Sequence, residues 1–395
     1  MRITGLLLAL LAAMTLPAQT GKPAAARPLV LAHVMPWFEA KNGWGWHWTM
    51  DKFDPFKGQL AAHVHPWNGA YDSSDARVIE YQVLLMKVAG IDGAIIDWNG
   101  LGGFDDYASI HRNTLLLIAE LKKAGLRFAI CAEDNPGQRL VKQSGLTRPL
   151  AVEHLRTSLH WLDQHWLTDP AYVKIGGQPV LFIFGPQFLN ETEWVAIRGG
   201  MKANPLTFAL PHLSGMKGID GAFAWIPVSE GKAVSKESYL GALAGLYATQ
   251  AHGAKVVAVA FPGYHDIYAQ AGQGKSYGFI DPQGGVTFTT TLDQAMKSGA
   301  PIVQLATWND YGEGTVIEPT QEAGFQYLEQ VMRQLRPGQD TSPLSLPRII
   351  YENRPWVLAA GPSRAHDAEL LDQAVQWLQV GNLTEAKAVL GKIKK

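Results

Sequence analysis

A single cysteine, Cys131, stands among 395 residues. That count excludes an intramolecular disulfide framework and a cysteine-rich metal site. Charge is also sparse: Asp, Glu, Lys and Arg make up 17% of the chain, and 34 basic residues nearly cancel 35 acidic ones. Without a basic excess, sequence-independent nucleic-acid binding has no electrostatic footing. Beyond the N-terminal region no run of apolar residues is long enough to read as a membrane span. Apolar residues are plentiful at 47%, with 13 Trp and 12 Tyr among the aromatics. That is material for a sizeable core, and it excludes wholesale disorder. Flat amphipathic rings in a cleft also suit the faces of sugars.

The N-terminus reads as a leader. Met1 and Arg2 precede an apolar run over 3–16, too short to span a bilayer, and small residues follow. This is the pattern of a signal peptide, residues 1–18, and it predicts a secreted or periplasmic protein without stable membrane insertion.

Eight short apolar runs recur after it, at 29–37, 92–99, 127–134, 179–185, 207–212, 221–228, 255–263 and 302–310. They are nearly continuous rather than alternating, as parallel strands buried on both faces are. Helical patterns lie between most of them, at 75–89, 107–124, 148–166, 191–203, 238–252 and 292–298, and another follows at 322–335. Strand–helix alternation repeated eight times predicts an α/β fold, a (β/α)8 TIM barrel, over 28–337. The eight residues LSGMKGID (213–220) are too few for an ordinary crossover helix between the fifth and sixth runs. Residues 338–362 read as a linker, 338–347, and then a strand or ordered tail packing back on the barrel, 348–361. Residues 363–395 read as a helical hairpin with Leu370, Leu371, Ala374, Val375 and Leu378 on one face. One such unit cannot cover its own apolar face, so the hairpin is expected to dock on the barrel or on a protein partner.

In such a barrel the C-terminal strand ends carry the chemistry. Here they hold Trp37, Asp97, Trp98, Glu133, Asp134, His212, Trp225, Tyr264, Trp308, Asn309 and Asp310. These are carboxylates and aromatics, with no cationic cradle for phosphate. Acids converging among rings suit glycoside hydrolysis, which needs one group to protonate the leaving oxygen and another as base or nucleophile. The plainer reading of any one acid is a helix cap or an Arg partner. Trp46 and His47 share a loop with His63 and His65. No carboxylate pattern accompanies these histidines, so sugar contacts or loop packing are expected rather than metal binding.

The densest signal is WNDYGEGTVIEP (308–319), with Asp310, Glu313 and Glu318. Asp310 and Glu313 are three apart, so one turn can put them on the same side. WNDYG-E resembles the signature of glycoside hydrolase family 71, the α-1,3-glucanases, and EGT-IEP resembles that of family 99, the endo-α-mannanases and mannosidases. LVLAHVMPWF (29–38), GWGWHW (43–48), AGIDGAIIDW (89–98) and KIGGQPVLFIFGP (174–186) resemble further segments of these families. The resemblance spans roughly 29–335 and implies Asp310 and Glu313 as the catalytic pair. In family 99 both positions are Glu, so Asp310 departs from that pattern. The expectation is a hydrolase of α-linked polysaccharide, α-glucan on the family 71 pattern, inverting, without metal or cofactor. A retaining, α-mannan-acting enzyme and a non-catalytic polysaccharide-binding protein are the alternatives. Substrate contacts are expected from Trp37, Trp46, His47, Asp97, Trp98, Glu133, Asp134, His212, Trp225, Tyr264, Trp308, Asn309 and Glu318.

Overall fold

The computed structural model describes residues 27–228 and 231–393. The leader expected at 1–18 lies outside them. Each apolar run supplies one strand: β1 Leu29–Val34, β2 Gly93–Trp98, β3 Arg127–Ala132, β4 Gln178–Ile183, β5 Leu206–Ala209, β6 Gly221–Phe223, β7 Lys255–Ala260 and β8 Ile302–Leu305. They lie side by side in the order β3-β2-β1-β8-β7-β6-β5-β4, and β3 pairs with β4 to close the ring. All eight pairings are parallel. All six residues of β2 are buried. This is why the runs do not alternate: one face fills the barrel and the other meets the helices. The molecule is a (β/α)8 barrel with a C-terminal helical hairpin.

The surrounding helices are α1 Ala76–Ala89, α2 Tyr107–Lys123, α3 Pro136–Ser144, α4 Arg148–His165, α5 Glu191–Gly199, α6 Lys236–Ala248, α7 Val286–Lys297 and α8 Gln326–Leu335. Local chemistry marks several ends. The Asp75 side chain accepts from the Arg77 amide at the start of α1, and Gly90 ends it in the left-handed region. Asn190 and Glu193 form a capping box on α5. Between β5 and β6 there is only a 3-10 turn, Pro211–Leu213. The crossover helix is absent there, and both strands are real.

Past the barrel, the segment expected as a strand or ordered tail is largely a helix, α9 Ser345–Ala359. Pro355 lies inside this helix, and a proline there argues against helix from sequence alone. Burial of Leu346, Ile350 and Val357 overrides that preference. The hairpin follows as α10 Ala365–Gln379 and α11 Leu383–Leu390. Its apolar face is buried, and α9 and α10 pack against α1 of the barrel. Arg354 pins this arrangement, with bonds of 3.0 and 2.9 Å to Glu80 of α1 and 2.9 Å to Asp372 of α10.

Candidate active site

The segment after β8 doubles back on itself. The Thr307 amide donates to Thr315 O at 2.8 Å, and the Glu318 amide to Trp308 O at 3.0 Å. Gly314 has φ +66°, and a Cβ there would lie 2.7 Å from His265 O, so the fold needs glycine. Asn309 is consumed by the end of β1. Its Oδ1 accepts from the Met35 amide at 2.8 Å, and its Nδ2 donates to Met35 O and Tyr71 Oη at 2.9 Å each. Glu318 is consumed too. Tyr71 and Tyr311 each donate to its Oε1 at 2.7 Å, and Gln82 donates to Oε2 at 2.8 Å. Burial pushes the Glu318 carboxyl up to about 7. It anchors the loop from beneath, which corrects its expected role as a substrate contact.

These anchors present Asp310 and Glu313. Asp310 Oδ1 accepts from the Glu313 amide at 2.9 Å, which sets the turn between them. The Asp310 amide donates to Thr307 Oγ1 at 2.7 Å. Burial pushes the Asp310 carboxyl up to about 6, while the Glu313 and Gly312 amides and His47 pull it back. Glu313 rises well above the ordinary carboxylate range, first by burial and then by the charge of Asp310. Its Oε2 is buried without a protein partner, and the Tyr264 hydroxyl faces its carboxyl.

A second carboxyl pair stands at the ends of β2 and β3. Asp97 is buried, and Glu133 stands beside it. Burial and the charge of Glu133 push Asp97 well above its usual range. Burial and the charge of Asp134 push Glu133 up to about 7. The two pairs are close enough for charges to interact, Asp97 with Asp310 and Glu133 with Glu313. Glu133 also lines a cleft of about 650 Å³ over the β1–β3 side of the mouth, with Trp37, Trp46 and His47 on its walls. The Trp37 and His47 rings stack at 4.2 Å and 8°. Trp46 is 37% exposed.

The other expected contacts divide. Trp98 and Trp308 are fully buried, and the Trp98 indole donates to His111 Nδ1 at 3.2 Å. Neither offers a sugar a ring face. Asp134 accepts the amides of Gln187, Phe188 and Leu189 at 2.7–2.8 Å, so it organises the loop after β4. His212 sits exposed on the 3-10 turn after β5 and does not line the cleft. Trp225 is half-buried against His33, Phe184 and Phe223. Sequence reasoning missed Asp105, Asp106 and Arg139, which also line the cleft. The acidic, glycine-rich GLGGFDD (100–106) after β2 was the available signal.

The histidine loop does not converge. His65 bonds Glu322 at 2.7 Å, whereas His63 stacks on His265 at 3.7 Å. Among the described residues, His33, Asp97 and Cys131 are the one group of three close enough to share an ion. They fill the barrel interior, and His33 Nδ1 is engaged by Gln304 at 3.1 Å.

Residues 215–345, which include the β8 segment, match the family described as Domain of unknown function (DUF5010). No curated protein matches the chain. Among solved structures, the fold resembles the GH99 endo-alpha-mannosidase from Bacteroides thetaiotaomicron, with TM-score 0.59 and 17% identity over 78% of this chain and 99% of that one. The same enzyme in complex with BIS-TRIS-Propane matches with TM-score 0.59 and 18% identity, over 78% and 98% of the two chains. A glycoside hydrolase-like protein follows with TM-score 0.56 and 15% identity, over 80% and 97%. At these identities the likeness is one of fold. It supports the closed (β/α)8 barrel.

Proposed function

We propose that the protein is a glycoside hydrolase acting on an α-linked polysaccharide, with Glu313 as general acid and Asp310 as base. One observation carries the reading: two carboxyls share one buried turn at the barrel mouth, where burial first and then the charge of Asp310 keep Glu313 protonated. Glu313 gives its proton to the glycosidic oxygen as the bond to the anomeric carbon breaks. Water attacks that carbon from the opposite face and passes its proton to Asp310. An α-linked substrate then yields a β-configured first product. The resemblance of the β8 segment to family 71 supports α-glucan as substrate. The apolar leader supports export to the periplasm or medium.

The likeness in fold to endo-α-mannosidases favours a second reading, a retaining enzyme acting on α-mannan through the same two residues. The test is a panel of α-glucans and α-mannans, followed at early times by the anomeric proton NMR signal. A β-anomer formed first supports inversion, and an α-anomer supports the second reading. Asp310→Asn and Glu313→Gln should each lower turnover by a factor on the order of 100 or more while circular dichroism stays unchanged. Wild-type rates in both variants would remove the pair from the chemistry.

A further inference from the structure

The cleft wall is unevenly charged. It holds five carboxylates, Glu39, Asp51, Asp105, Asp106 and Glu133, against Arg139 and His47. Both basic side chains are already engaged. Arg139 lies 3.2 Å from Asp105, and His47 lies 3.1 Å from Asp106. Lys41 and Arg112 line a separate pocket beyond Glu39. Among the described residues, Glu39 and Asp51 have no cation in the cleft, and Glu133 has only the Arg139 that Asp105 already holds.

An independent feature lies in the same place. Asn99, 8% exposed, lines the cleft with an Oδ1 that has no partner. Asn135 also lines it with an unpartnered, buried Oδ1. Its side chain lies beside Glu133. Buried acceptors without donors are costly, so this cluster calls for a ligand that donates. A sugar hydroxyl brings one donor. An ammonium group brings three, and it also brings the missing charge.

We propose that the cleft seats a cationic saccharide, an unacetylated amino sugar whose ammonium group is received by Asn99, Glu133 and Asn135 at the ends of β2 and β3. This rests on reading the cleft as a saccharide site and narrows its substrate class. N-acetylation would remove the charge and two of the three donors. It would also force an acetyl group against the acceptors.

Calorimetry on the Glu313→Gln variant tests this without turnover. The probes are an α-linked glucosamine tetrasaccharide, its fully N-acetylated form and the neutral α-linked glucose tetrasaccharide. The free amine should bind about tenfold tighter than either, and the preference should shrink as salt rises. Glu133→Gln in the same background should abolish most of it. Equal binding of the three, no binding of the amine, or a preference that survives Glu133→Gln would overturn the proposal. Turnover by the wild-type chain separates the two readings. Selective binding of the amine without cleavage would remove the hydrolase reading and leave this one. Cleavage of neutral glucan with no amine preference would do the reverse.

Discussion

Replacing Glu318 with Gln separates a loop anchor from a substrate contact. The Glu318 carboxyl is 3% exposed and meets Tyr71, Tyr311 and Gln82. Burial lifts it from 4.5 to about 7. Between those values the folded chain keeps a proton that the unfolded chain has released. Stability therefore falls as pH rises through that window, and the loss is complete above the higher value. At about 1.4 kcal/mol for each pH unit, the loss comes to about 3 kcal/mol. A Gln at 318 does not titrate. It can still accept from Tyr71 and Tyr311, and the Gln82 amide can turn over to meet its NH2. Other titrating groups act equally in both proteins, so the difference between them isolates residue 318. Denaturant unfolding of wild type and Glu318→Gln at about pH 4 and about pH 8 should show the gap moving by about 3 kcal/mol in favour of the variant. The Michaelis constant should stay unchanged. A gap that does not move with pH would refute the buried ionisable anchor, and a large rise in the Michaelis constant would return Glu318 to the substrate.

Activity should also depend on pH through the catalytic pair. Asp310 titrates at about 6 and must be ionised, so kcat/KM should fall about tenfold for each pH unit below that value. On the alkaline side the rate should fall as Glu313, raised well above its ordinary range, loses its proton. A profile flat from about pH 4 to about pH 9 would contradict both roles. Trp46→Ala should raise KM several-fold, because a 37% exposed ring in the cleft wall can stack on a sugar. Trp98→Ala should instead cost about 3–5 kcal/mol of stability by emptying a buried site, as read by thermal unfolding. A stability loss for Trp46→Ala comparable to that of Trp98→Ala would undo this assignment.

Eight strands were legible in the chain because the signal for each is local. A parallel strand buried on both faces must be apolar along its length, and the turn residues bound it. The spacing of Asp310 and Glu313 was legible for the same reason, since one side-chain-to-amide bond within the turn sets it. Helix α9 was not, because Pro355 speaks against helix locally and only packing answers it. The sorting of acids was also invisible. Asp134 finds its three amides in the loop after β4, more than 50 positions along the chain. Glu318 finds Tyr71 and Gln82 more than 230 positions back. Glu133, beside Asp134, faces the cleft instead. An acid at a strand end is the same residue in sequence whether it holds a loop or faces a ligand. Which it does depends on whether distant donors reach it first, and only barrel closure brings those donors near.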